Sequence, residues 1–147
     1  MSEIKSNVEA YNDIVESAEL AEIVLTDCVF NIDPSYHKEK GDKNTGLKNS
    51  FHCTIVDFYF SNEKGFLSAE MNWVLTIKKG NKHLLKCSVT YAIMYSDVID
   101  LGDGRVEVYE AFINRVGKFA TYPYFRSITS HLGNEARAGI PIMPILK

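Results

Sequence analysis

Long hydrophobic runs are missing from this sequence. No apolar stretch approaches the roughly 20 residues that a membrane helix needs, so the chain reads as a soluble protein without membrane insertion. Its first residues, MSEIKSNVEAYND, hold no apolar core and no small-residue cleavage site, which argues against a secretory signal there. Cysteine is scarce. Cys28, Cys53 and Cys87 are odd in number, widely spaced and set inside strand-like runs. That pattern excludes a disulfide framework and fits reduced thiols in a cytoplasmic protein. A surplus of positive charge is also lacking, since the formal net charge is -3. Broad attraction to nucleic acid or to anionic membrane is therefore not expected.

Catalytic motifs are missing too. No G-x-x-x-x-G-K-[ST] loop is present to cradle a nucleotide phosphate. The GDG at 102–104 lacks the spaced acidic ligands of a calcium loop. His52 and Cys53 are adjacent, but strand neighbours point to opposite faces and cannot share a metal. There is no C-x-x-C and no histidine pair at helical spacing. No metal, cofactor or catalytic set is expected, and the chain reads as a non-enzyme. A competing reading is a small ligand-binding or cysteine-dependent α+β enzyme, with Cys87 near His83 or His52 in a pocket; a perturbed thiol in a closed cavity would mark it.

What is present is pattern. Its 147 residues, 46% hydrophobic and 24% charged, suit one domain over 1–147. Ile4, Val8, Tyr11, Val15 and Ala18 recur at helical steps and predict a helix over 3–21. The segment ELAEIVLTDCVFNI (19–32) predicts a long strand, stopped by Pro34. A polar connection over 34–50, with Tyr36 as its one ring, reads as a surface loop. Three alternating segments follow, separated by SNEKG (61–65) and KKGNK (78–82). Period two with short turns predicts an antiparallel meander of four strands within residues 22–100. On the strand 51–60 that phase sets Val56, Phe58 and Phe60 opposite Cys53 and Ile55, leaving both faces apolar. Such a strand needs a cover, either an oligomer contact or an apolar peptide.

After DLGDG (100–104) the period becomes helical, over 105–138. The first helix is predicted to end at Gly117 and the second to open near Pro123, with Phe125, Ile128, Leu132 and Ala136 inward. Residues 139–147 are predicted to be an extended apolar tail, kept out of helix by two prolines. The order gives an α+β class, with an N-terminal helix and C-terminal helices on one face of the sheet. Phe119, Tyr122, Tyr124 and Phe125 crowd around Pro123, and so many rings in one turn need something to pack against.

The segment RVGKFATYPYFRSITSHLGNEARAGIPIMPIL (115–146) resembles the signature region of the SecB export chaperones. The matching residues are Tyr122, Pro123, Tyr124, Arg126, Gly139, Pro141 and Pro144. The strands IVLTDCVFNIDP and LLKCSVTYAIMYSDVI fit the same pattern. The resemblance implies a homotetramer, built as a dimer of dimers, that holds unfolded polypeptide in apolar grooves without ATP. On that basis the groove is expected to draw on Phe30, Tyr36, Phe51, Val56, Phe58, Phe60, Tyr122, Tyr124, Phe125, Ile128, Ile142 and Met143. Export members carry two acidic positions on the first strand for docking the motor SecA. Asp27 fits the first as a remnant, and Asn31 replaces the second. An acidic tail is also lacking, and the sequence reads Lys147 at its end. The N-terminal helix and GKFATYPY resemble instead the SecB-like chaperones of toxin–antitoxin–chaperone systems. The client implied is then the C-terminal tail of an antitoxin. The alternative is a general export chaperone that delivers preproteins to SecA.

Overall fold

A cap opens the first helix. In the computed structural model, which describes residues 6–41 and 46–140, helix α1 spans Asn7–Ser17. The Ser6 side chain accepts the backbone N–H of Glu9 at 3.2 Å, satisfying one of the donors a helix start leaves unpaired. The helix stops at Ser17, short of the predicted residue 21. Ala18 is already extended, with ψ 133°, and its N–H closes on Ile14. Residues from Glu19 onward join the sheet, where a ladder offers their backbone groups as many partners as another helical turn would. Ala10 and Ile14 are buried while Val8 and Val15 are exposed, so the inner line of α1 is rotated from the stripe read in the sequence.

Strand β1 (Glu19–Ile32) is followed by a short helix α2 (Tyr36–Gly41) and strands β2 (Lys48–Ser61), β3 (Phe66–Lys79) and β4 (Lys82–Ser96). They make one open antiparallel sheet in the order β1-β4-β3-β2. The last three strands form the expected meander through tight turns; at one of them Gly80 takes φ 59°, a conformation glycine adopts without steric cost. β1 differs from a strict meander. Its connection to β2 is too long for a hairpin and carries β2 to the far edge, leaving β1 beside β4, as in a Greek key. Asp33 N–H donates to Leu84 O at 2.7 Å, and Thr26 Oγ1 to Thr90 O at 3.2 Å, which fixes that pairing.

The connection holds α2 where the sequence predicts loop. The Asp33 carboxylate accepts the N–H and the Oγ–H of Ser35 at 2.9 and 2.6 Å, a local turn that starts the helix. These bonds hold the Asp33 carboxyl below its ordinary range. Glu39 pairs with Lys79 at 2.6 Å.

β2 carries a change of phase. Phe51, Cys53 and Ile55 are half-buried in alternation, then Val56 and Asp57 are both exposed, then Phe58 and Phe60 are half-buried. Two successive exposed residues shift the phase of burial along the strand. Phe60 therefore does not lie opposite a helix-covered face, as strict alternation predicts. Its ring stacks on Tyr109 at 4.5 Å.

The C-terminal helices also differ from expectation. α3 (Val106–Phe112) runs through a π-helical turn (Ile113–Gly117) into α4 (Lys118–Glu135), so Gly117 is no stop and Pro123 lies inside α4. Gly117 serves close approach, since a Cβ there would come within 2.9 Å of Met71 Sδ. Pro123 and Phe119 lie on the exposed side, where the carbonyl deprived of its partner meets water. The inner line of α4 is Thr121, Tyr122, Phe125 and Thr129 rather than Phe125, Ile128 and Leu132. Both threonine hydroxyls donate one turn back, Thr121 to Gly117 O at 2.8 Å and Thr129 to Phe125 O at 2.6 Å, which lets them sit in an apolar core.

The chain separates into two compact units, one of Met1–Val24, Ile55–Met71 and Tyr91–Thr121, the other of Leu25–Thr54, Asn72–Thr90 and Tyr122–Lys147. In the first, α1 packs on α3 with Tyr11 6.4 Å from Phe112, and Tyr95 meets Phe112 edge-on at 4.9 Å. Tyr109 Oη donates to Ile99 O at 2.9 Å and accepts from Leu101 N at 3.0 Å, tying the 97–105 connection to α3. The second unit contains Tyr36, Phe51, Trp73, Tyr122 and Phe125.

Candidate functional site

Two of the rings around Pro123 pack against the sheet. Tyr122 stacks on Phe51 at 5.5 Å and lies 5.3 Å from Trp73; Phe125 stacks on Trp73 at 5.4 Å. With Phe51 and Trp73 at 6.4 Å, one helix turn and two strands supply a four-ring cluster. Tyr122 and Phe125 are 3% and 0% exposed, and burial pushes the Tyr122 phenol up, partly offset by Arg126. These two rings are framework. Tyr124, 54% exposed, and Phe119 project from the other side of the same turn. The sequence singled out Phe51, Tyr122 and Phe125, and the structure brings them together. It missed Trp73, whose place in a period-two strand marks it as buried but not as the hub.

Tyr36, expected as a loop ring open to a ligand, is 2% exposed. Its hydroxyl donates to Ala138 O at 2.8 Å, and burial raises its pKa. The correction has a plain cause: α2 turns the residue inward, and a carbonyl at the end of α4 satisfies the phenol. Tyr36 lines one wall of a pocket of about 220 Å³, with Lys40, Leu47, Asn49, Ile77 and Gly139. Among these residues the sequence marked Tyr36 as a groove residue and Gly139 only as part of the signature region. The six come from α2, the β2 start, β3 and the α4 end, and no spacing announces their meeting.

The remaining residues fall elsewhere. Phe30 and Ile128 are half-buried, and Val56 is 57% exposed. Phe58 lines a second hollow of about 210 Å³ with Asp57, Tyr59, Ser68, Ala69, Glu70 and Ala92. Ile142 and Met143 lie outside the described residues. Asp27 is exposed on β1. That strand is exposed or half-buried along its whole length, Leu20, Val24, Leu25 and Val29 included. A long apolar edge of this kind is a template for another chain.

Cys87 does not have the character of a nucleophile. It is fully buried, and burial pushes its thiol up to about 11, with a smaller push from Cys28 and a partial offset from a hydrogen bond with Thr129. A reactive cysteine needs the opposite shift. Among the described residues no three His, Cys, Asp or Glu side chains are placed to hold a metal ion, and no helix is long and apolar enough to cross a membrane.

An open four-stranded antiparallel sheet with one N-terminal helix and C-terminal helices is the SecB-like fold. Among solved structures, the SecB-like chaperone of Mycobacterium tuberculosis, in complex with a ChAD peptide from the HigA1 antitoxin, is similar with a TM-score of 0.73 and 15% sequence identity, covering 95% of this chain and 97% of that one. No protein-family model matches the sequence. No curated protein matches it either.

Proposed function

We propose that this protein is a cytoplasmic, ATP-independent holdase chaperone, dedicated to the tail of an antitoxin in a toxin–antitoxin–chaperone system. The observation that carries the reading is the fold, shared over 95% of this chain with a SecB-like chaperone in complex with an antitoxin peptide. Two further features support it. Exposed apolar side chains gather on β1 and at Val56, Tyr59, Phe119 and Tyr124, more than an isolated small domain needs. The absence of a phosphate-binding loop from the sequence fits a protein that holds rather than remodels.

In this reading the residues that touch a client are the exposed and half-buried ones, Phe30, Val56, Phe58, Tyr124 and Ile128. Tyr36, Phe51, Tyr122 and Phe125 shape the surface from beneath. An extended apolar segment would add side chains to pockets and backbone bonds to a strand edge. Each side chain fully docked contributes roughly 1.5–3 kcal/mol, so a few reach micromolar affinity after ordering costs.

The test is light scattering of a purified antitoxin that aggregates alone, with and without its C-terminal tail. Suppression that needs the tail and ignores ATP supports the proposal. No suppression, or suppression only with ATP, overturns it. Equal suppression of unrelated unfolded precursors, together with SecA binding, would favour general export.

A further inference from the structure

We propose that the pocket of Tyr36, Leu47 and Ile77 takes the last residue of a client chain, with its apolar side chain on the pocket floor and its α-carboxylate on the Lys40 ammonium. The inference rests on the peptide-holding function proposed above and names the part of the client tail that is read.

The walls divide by chemistry. Leu47, Ile77 and the Tyr36 ring supply apolar surface, Lys40 one cation and Asn49 one amide, with no carboxylate among them. The Tyr36 hydroxyl is spent on Ala138 O at 2.8 Å, so that residue offers only its ring. All of these residues, with Gly139, belong to the second compact unit. Tyr36 and Lys40 stand one turn apart on α2, which puts ring and ammonium on one side of the helix. Asn49 faces Ile77 across the β2–β3 ladder; the neighbouring pair, Ser50 and Thr76, joins its hydroxyls at 3.1 Å.

The cation is held in place. The Lys40 ammonium fills the space a Cβ on Gly139 would need, and Gly139 takes φ 59°. A glycine there lets the lysine stem cross the chain and set its charge at the pocket. The surroundings favour an anion. Glu39 is engaged by Lys79 at 2.6 Å, and Asp33 by Ser35 at 2.6 Å and Lys82 at 3.7 Å. Lys38 and Lys48, both exposed, add positive charge on α2 and at the start of β2.

An apolar floor beside one cation suits a residue whose hydrophobic side chain and negative charge spring from the same Cα. Within a polypeptide only the last residue has both. An aspartate or glutamate would carry its charge onto the apolar floor, where burial is costly. An internal apolar residue would leave Lys40 and Asn49 unanswered. Capture of a C-terminal carboxylate is a recurring mode of peptide recognition. The size agrees: an apolar cavity of about 150 Å³ accepts benzene, and this pocket, at about 220 Å³, has room for one branched or aromatic side chain.

The experiment compares, by fluorescence anisotropy, a labelled peptide GSGSAVL ending in its carboxylate with the same peptide amidated. The intact chain should bind the acid about fivefold more tightly, a modest factor because an exposed charge is screened. The difference should shrink in about 1 M salt. Lys40→Met keeps the apolar stem and should bind the acid as weakly as the amide, while Lys40→Arg should keep the preference. Equal affinity of the intact chain for both peptides overturns the proposal, as does a preference that survives Lys40→Met. In a chain labelled at isoleucine and leucine methyls, the acid should shift the Ile77 and Leu47 signals; binding that moves neither overturns it too. Octanoate that displaces the peptide at equal concentration would assign the pocket to a small aliphatic acid and overturn the proposal. Should Lys40→Met not fold, the intact chain's preference and the methyl shifts decide. A preference for the acid with no suppression of antitoxin aggregation would keep the pocket and remove the chaperone reading. Suppression without that preference would keep the chaperone and remove the pocket.

Discussion

Tyr95 carries the one buried side-chain polar atom without a hydrogen-bond partner among the described residues, its hydroxyl, which sits in the apolar core of the first unit. A buried unpaired hydroxyl costs about 1–3 kcal/mol. Tyr95→Phe should therefore leave stability unchanged or raise it by about 1 kcal/mol, read from the urea midpoint; a clear loss would mean that the hydroxyl has a partner. The same burial makes the protein sensitive to alkali. Desolvation raises Tyr95 to about 12 and Cys87 to about 11. Both groups are neutral when protonated, and the folded state keeps the proton longer than the unfolded chain. Their contribution is complete below the ordinary thiol value of 9.0, and is lost as pH rises through 11 and then 12. Urea midpoints at pH 8, 10 and 11 should fall in that order, and Tyr95→Phe should soften the upper part of the fall. Alternation in β4 marked both residues as inward in the sequence. That one would find no partner depends on what α3 brings opposite it, which no local pattern encodes.

At the scale of elements, β2 separates what periodicity reads from what it cannot. Alternation predicts Phe58 and Phe60 on a face of their own, so that serine at both positions would spare the fold. The shift of phase at Val56–Asp57 instead sets Phe60 on Tyr109. Phe60→Ser should cost about 2 kcal/mol of stability, whereas Val56→Ser, at an exposed position, should cost less than about 0.5 kcal/mol. Equal thermal midpoints for the two variants would refute the shift of phase. Asp57 accepts the N–H of Phe58 at 2.9 Å, and a short acidic residue inside an apolar strand is the one signal that hinted at it. α2 escaped notice for a similar reason. Six residues with few apolar positions carry no periodicity, and what orders them is a turn at Asp33, an ion pair to Lys79 and the Tyr36 hydroxyl. Tyr36→Phe removes that last bond and should cost about 1 kcal/mol, with Ala138 left unpaired; thermal denaturation would show it.

For the whole molecule, we propose that the 147 residues fold as one SecB-like domain although the chain separates into two compact units. Every strand contributes residues to both, and a strand cannot melt by halves without breaking its ladder. Trp73 fluorescence reports the second unit, because the chain has one tryptophan. It should follow the same urea transition as far-UV circular dichroism; two separated transitions would mean independent units. The long exposed edge of β1 argues for self-association. Sedimentation should find a tetramer at micromolar concentration, and a stable monomer would count against the chaperone reading.

Legible in the sequence alone were the α+β class, the four strands with the tight turns at 61–65 and 78–82, the helical C-terminal third, the resemblance to SecB-like chaperones and the importance of the rings around Pro123. Each rests on periodicity, turn chemistry or a local motif, and these act between residues close in the chain. Not legible there were the pairing of β1 with β4, the place of Trp73 as hub of the ring cluster, the burial of Tyr36 as a wall, and the meeting of that wall with Gly139. Those outcomes depend on surfaces far apart in sequence being complementary in shape, and on which side each hydroxyl finds a carbonyl. The energy that selects them is spread over many contacts between segments far apart in the chain.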